Sequence, residues 1–309
     1  MVFRKEKFQY VHLFYECEDT KEYFTTTEID EINLSQVYNL YRVKYGIPFP
    51  DEIKLIRQSY GLSASKMSEI LGFGDNQYRL YENGDMPSEA NGKVLNSIKE
   101  PCVFEIFVKN ARQQFEPKEY DKILSKLSKA KEYQQPHILR DLIYDSYSRS
   151  EMNGYAAQSY SKLKNILLYY IEKYGGVFNT KMNKLLFYTD FFCYKKYGMA
   201  MSGLAYKAIQ YGPVPVRWDR VYSLIDDIDI DIVEFDSGHS GTKLCSSSSP
   251  DLSAFTANEL FVLDTVYERF KEIKAAEISK ISHDEDAWKN YFETDKMIDF
   301  KESFTLRAL

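Results

Sequence analysis

The residues best placed for chemistry fall in one short run, Asp75-Asn76-Gln77-Tyr78-Arg79-Leu80-Tyr81-Glu82-Asn83-Gly84. Tyr78 and Tyr81 stand at i, i+3, so a helix that packs both inward turns Asp75, Asn76, Gln77 and Arg79 outward. Amide side chains suit adenine edges in a DNA major groove, a carboxylate can accept from cytosine, and an arginine reaches a base or a phosphate. The pattern is one of nucleic-acid reading. Its alternative is a helical hairpin kept for packing or dimerisation alone.

Catalytic and metal chemistry have weaker candidates. His12, His137, His239 and His283 have no metal-ligand spacing, and the chain has no glycine-rich phosphate loop and no convergent nucleophile and base. The expectation is a protein that is not an enzyme and takes no cofactor. Asp226, Asp227, Asp229 and Asp231 could form a divalent-ion cluster, but adjacent carboxylates of this kind more often lie on a solvated turn. Cys17, Cys102, Cys193 and Cys245 are scattered, which argues against a disulfide framework and against a thiolate metal site.

The elements that must position these residues are bounded first by size. A chain of 309 residues is expected to form two domains. Its 44% hydrophobic and 28% charged content is that of a globular protein, and its 26 tyrosines and 20 phenylalanines point to large cores or adhesive interfaces. Net charge is −6 and no segment is broadly basic, so any DNA binding must come from a local face, doubled in a homodimer. Met1–Lys7 has no apolar run of the signal-peptide kind, and the apolar stretches Ile166–Ile171 and Leu185–Phe192 are too short or interrupted to span a bilayer. A cytoplasmic protein with no membrane partner is expected.

The fold class read from periodicity is mainly α with small β elements. Phe8, Tyr10, Val11, Leu13, Phe14 and Tyr15 suggest one or two strands, followed by a short helix over Val37–Tyr45. From Pro50 to about Asn96, Gly61, Gly72, Gly74 and Gly84 punctuate four or five short helices. Ser63 is placed to cap one of them, and Met67, Ile70 and Leu71 to bury against the helix before it. Tyr120, Ile123, Leu124 and Leu127 lie opposite Lys118, Lys122, Lys126 and Lys129 in a connecting helix broken by Pro136. That lysine face reads as solvated, with a clamp on DNA or a partner as the alternative. Ser146–Gln158 is the best domain boundary. Beyond it, Tyr160–Tyr174 is an amphipathic helix ended by Gly175-Gly176, and residues 179–197 form a buried central helix ended by Gly198. Leu204–Tyr211 and Ile230–Phe235 read as extended, Ser246–Ser249 as a loop, and Thr256-Ala257-Asn258-Glu259 as a capping box. Gly212-Pro213-Val214-Pro215 is expected to hold an irregular extended chain outside any sheet ladder.

Two stretches resemble known families. Over residues 38–98, the run Ile53–Gly84 is similar to the helix-turn-helix of repressor-type regulators, most closely that of MqsA-type antitoxins. The resemblance implies that Asp75, Asn76 and Gln77 meet base edges, that Arg79 meets a base or a phosphate, and that Ser63, Ser65, Lys66 and Asn83 meet the DNA backbone. Such antitoxins usually begin with a zinc ribbon of two Cys-x-x-Cys pairs. Here Cys17 stands alone with Thr20 at its partner position, so a degenerate hairpin held by Phe8, Tyr10 and Phe14, without zinc, is expected.

The second resemblance rests on an ordered set: Lys184-Leu185-Leu186-Phe187-Tyr188-Thr189-Asp190-Phe191, Tyr197-Gly198, Ser202-Gly203, Ala205-Tyr206-Lys207-Ala208, Tyr211-Gly212-Pro213-Val214-Pro215, then Ser282-His283, Asp286-Ala287-Trp288 and Ile298-Asp299-Phe300. It is similar to the Panacea, or SocA-like, domain over residues 158–309. The resemblance implies a toxin-neutralising module of bacterial and phage-borne toxin–antitoxin systems, with use as a protease adaptor as a relative of that role. The domains are then 1–46, a degenerate zinc-ribbon-like segment; 47–112, the helix-turn-helix; 113–157, a helical connector; and 158–309, the neutralising domain. The expected function is a type II antitoxin that binds a cognate toxin and represses its own operon through operator DNA. The alternative is a stand-alone or phage-related transcription regulator. For the toxin contact, Gly212, Pro213, Val214 and Pro215 supply a rigid backbone and Tyr206, Tyr211 and Trp218 aromatic anchors. A purely structural turn at Tyr211–Pro215 is an equal alternative.

Overall fold

A computed structural model describes residues 1–132, 143–144, 148–218, 220–225, 227–235 and 240–309. His137, His239 and Asp226 lie outside the described residues, as do Pro136 and part of the expected boundary segment. The chain divides into two compact units: Met1–Phe8 with Val37–Pro136, and Gln9–Gln36 with His137–Leu309. Residues 1–46 are therefore shared between units, and the unit that holds residues 158–309 also holds Gln9–Gln36. The fold is mainly α with small β elements.

The first helix, α1, spans Thr27–Tyr45, so it begins well before the expected start at Val37. Glu28 and Asp30 in its first turn and Arg42 and Lys44 in its last complement the helix dipole. In the first unit, α2 (Pro50–Ser59) has proline in its opening turn, where no N–H is needed. Ser63 caps α3 (Ala64–Leu71) by accepting from the Lys66 N–H at 3.2 Å, and Gly72 ends it in the left-handed conformation. The chain continues through α4 (Gln77–Glu82), α5 (Glu89–Ser97), α6 (Pro101–Asn110) and α7 (Pro117–Glu132). These elements share one core, in which Ile53, Met67, Tyr78, Leu95, Phe104 and Val108 are buried. Polar atoms inside it are satisfied: the Tyr78 hydroxyl donates to Ile53 O at 2.8 Å, and the Tyr60 hydroxyl to Ile98 O at 2.6 Å. Two small hairpins stand where one degenerate hairpin was expected, β1 (Val2–Phe3) with β2 (Glu6–Lys7) and β3 (Tyr15–Glu16) with β4 (Tyr23–Phe24).

The second unit is built around α9. Its predecessor α8 (Tyr160–Tyr174) ends at Gly175 in the left-handed conformation, and α9 (Asn179–Tyr197) is buried from Met182 to Tyr194. Around it lie α10 (Ala257–Phe270), opened by the Thr256/Glu259 capping box, then α11 (Ala275–His283), α12 (Asp286–Lys289) and a 3-10 turn over Phe300–Thr305. An antiparallel sheet has the order β5-β9-β8, with β5 Val177–Phe178, β8 Asp229–Glu234 and β9 Ser240–Cys245.

A separate hairpin pairs β6 (Tyr206–Ile209) with β7 (Gly212–Pro215). This corrects the expectation that Gly-Pro-x-Pro stays out of a ladder. Val216 donates its N–H to Ala205 O at 2.9 Å, so in the Tyr206↔Pro215 register the bonded positions are Val216, Val214 and Gly212. Pro213 and Pro215 fall on the alternate positions, where no N–H is required.

The hairpin is tied to α9 by Asp190. This fully buried carboxylate accepts from Met201 N at 2.9 Å, Ser202 N at 2.8 Å, the Ser202 hydroxyl, and the Tyr206 hydroxyl at 2.6 Å. Burial pushes its pKa up while these four donors pull it down. Asp190→Asn turns an amide N–H₂ toward donors and is expected to cost about 3 kcal/mol of stability, read as a lower denaturant midpoint. An unchanged midpoint would show that the tie is not needed.

Candidate functional site

In the first unit, α3 and α4 pack side by side over the shared core and carry the residues expected to read DNA. Tyr78 and Tyr81 are buried, while Asp75, Asn76, Arg79 and Asn83 are exposed and Gln77 is half-buried. Arg57, on α2, holds α4 through a forked pair with Glu82 at 2.6 and 3.2 Å. Asn76 occupies the left-handed region at φ 61° just before α4, a conformation that asparagine tolerates better than most residues. It therefore shapes the entry to the helix as well as facing outward. Ser63 and Ser65 are exposed. Lys66 is the one predicted DNA contact whose charge is already matched: its ammonium lies 2.6 Å from Glu69 and 2.7 Å from Glu119, over the Phe115 ring at 4.5 Å. Where zinc ligands were missing, Thr20 and the backbone of Asp19 hydrogen-bond the Cys17 thiol and hold it below the usual thiol range.

In the second unit, the turn of the β6–β7 hairpin is clamped from one side. Trp288, on α12, donates its indole N–H to Ile209 O at 2.8 Å and stacks between His283 at 4.1 Å and Phe292 at 4.5 Å. His283 is hydrogen-bonded in turn to the Gln210 backbone. Below the turn, Gly212 (φ 100°) lies so close to α9 and α11 that a Cβ there would collide with Lys184 and Ser282. The Lys184 ammonium is buried and donates to Pro213 O at 3.0 Å. Glu285, also buried, accepts from the N–H groups of Arg307 and Ala308 at 2.8 and 3.0 Å and so holds the tail of the chain.

This arrangement corrects most of the expected toxin contact. Tyr206 is 0% exposed because its hydroxyl is committed to Asp190, and Gly212, Pro213, Val214 and Pro215 are buried in the strand that backs onto α9. Trp218 is half-buried. Tyr211, at the tip of the turn, is 64% exposed. Beside it opens a groove of about 970 Å³ whose lining includes Val177, Phe178, Ile273, Ala276 and His283. The sequence reading did not single out this groove or the convergence of Lys184 and Ser282. A lysine and an aspartate inside the apolar run Lys184–Phe191 were the available signal.

Residues 182–289 match the family described as antitoxin SocA-like, Panacea domain. The matched segment runs from the first turn of α9 to the end of α12 and contains Lys184, Asp190, the hairpin, His283 and Trp288. It supports an antitoxin role in general, over a shorter stretch than the 158–309 of the resemblance. Neither a curated protein nor a solved structure matches the chain. Among the described residues, no helix is long and apolar enough to cross a membrane.

Burial lowers the Lys184 pKa from 10.5 to about 7. The unfolded chain then binds more protons at this position between those values, so stability rises with pH across that window. Lys184→Met should remove this contribution. Between pH 7 and about 9, the melting temperature of the wild type should rise relative to that of the variant; parallel curves would mean that Lys184 does not titrate there.

Proposed function

We propose that this protein is an antitoxin that neutralises a cognate toxin by direct binding through its second unit and represses its own operon through its first. The observation that carries the first part is the clamped hairpin turn within residues 182–289: it presents one large exposed aromatic, Tyr211, on a backbone fixed by Trp288, His283 and Gly212. A side chain held in place before binding loses little entropy on association, and tyrosine is enriched among residues that dominate interface energetics. DNA reading is supported by the outward display of Asp75, Asn76 and Arg79 on a buried tyrosine base. With Asp75 opposing Arg79 and Lys66 already paired, that surface offers few free cations, so operator binding would depend on two copies acting on adjacent half-sites.

Co-expression of the full chain with the protein encoded beside it tests the reading directly. The wild type should rescue growth, and Tyr211→Ala should retain its melting transition while losing both rescue and capture of the toxin. On promoter DNA, Gln77→Ala and Asn76→Gly, the latter keeping the left-handed turn, should relax preference for the operator over random duplex. A folded Tyr211→Ala that still neutralises would place the toxin contact elsewhere, and unchanged preference in the other two would remove base readout by α4.

A further inference from the structure

The groove beside Tyr211 has a charge pattern of its own. Among the described residues, its lining carries Lys181, Lys271, Lys274 and Lys280 against a single carboxylate, Glu272, in a chain whose net charge is −6. Lys271 is paired with Glu268 at 2.8 Å, and the Lys181 ammonium lies over the Tyr174 ring at 4.1 Å. Lys274 and Lys280 are exposed and have no carboxylate within ion-pairing distance among the described residues. Between the lysines the surface is apolar, supplied by Val177, Phe178, Ile273 and Ala276.

At the groove, the His283 ring lies against the Gln210 backbone. Its Nε2 is buried and has no hydrogen-bond partner among the described residues. A buried ring nitrogen without a partner is uncommon in a folded protein. Burial and the nearby Lys184 both lower the His283 pKa, which favours the uncharged ring.

We propose that this groove binds an acidic amphipathic segment of the toxin: its apolar side chains on the Val177, Phe178 and Ile273 surface and its carboxylates between Lys274 and Lys280. The identity of the partner rests on the antitoxin reading above; the chemistry of the groove does not. An apolar floor is a poor match to a phosphate backbone, which separates this surface from a nucleic-acid site. Tyr211 on the lip favours a chain that continues past the groove over a small molecule enclosed by it.

The probe is a fluorescein-labelled peptide of alternating Leu and Glu, with a Leu and Lys counterpart, titrated with the full-length protein and followed by anisotropy. The acidic peptide should bind and the basic one should not, and added salt should weaken the complex. The double variant Lys274→Glu, Lys280→Glu should lose about tenfold in affinity. Ala276→Trp should block the groove while keeping the wild-type melting transition. Equal binding of both peptides, no binding of either, or affinity unmoved by these variants would overturn the proposal. So would displacement of the peptide by decanoate with no growth phenotype in the variants, which would mark a site for a small anionic amphiphile. If the peptide binds as expected while the wild type fails to rescue growth, the antitoxin reading falls and the groove chemistry stands. If the wild type rescues and the groove variants rescue equally, the groove is not the toxin contact and the antitoxin reading stands.

Discussion

The second unit depends on α9 carrying two charged side chains into a core that is otherwise apolar and aromatic. Lys184 and Asp190 are both fully buried, and neither is the other's partner: the lysine bonds the Pro213 carbonyl, while the carboxylate gathers donors from Met201, Ser202 and Tyr206. Burying an ion is costly unless its hydrogen-bonding capacity is met. Asp190 meets that condition with four donors. Lys184 has the Pro213 carbonyl as its acceptor among the described residues and compensates by a lowered pKa. The two residues fix opposite strands of the same hairpin, so its position relative to the helix is set by polar geometry as well as by packing.

Several features follow from that placement. With β7 drawn down onto α9, Gly212 has no room for a side chain, and Pro213 and Pro215 occupy the positions where a missing N–H leaves the ladder intact. The turn between the strands is then gripped by Trp288 and His283, and Tyr211 is left outward at its tip. The residues that matched the family are thus joined in one structure: those on α9 hold the strands, those on α11 and α12 hold the turn. Most of them serve the scaffold, and at this hairpin the exposed residues are those of the tip, beside the groove.

The first unit solves a different problem with smaller means. Its helices are short, and short helices are marginal by themselves; a common apolar core and caps such as Ser63 and Gly72 stabilise them together. The Arg57–Glu82 fork and the buried Tyr78 fix α4 against α2, so the outward residues of α4 are displayed from a rigid base. Among those outward residues Asp75 offsets the charge of Arg79, which makes the display one of hydrogen-bonding groups more than of electrostatic attraction.

Much of the local structure was legible in the sequence because its causes are local. Glycines after apolar runs ended α3, α8 and α9, and Ser63 and the Thr256/Glu259 box opened helices, since caps act on backbone groups within one turn. The i, i+3 spacing of Tyr78 and Tyr81 foretold which face of α4 is buried. The sequence likewise marked the Panacea-like segment by ordered residues. It left Gly212–Pro215 open between contact surface and structural turn and read Tyr206 as a contact, because an aromatic and a proline turn look alike whether they face solvent or a helix. Only tertiary structure decided that, by bringing Asp190, Lys184 and Ser282 to the hairpin from positions distant in the chain. The groove was decided in the same way: its lysines and apolar floor come from α9, β5 and the turn into α11, and no period along the sequence records that separate elements will share one wall.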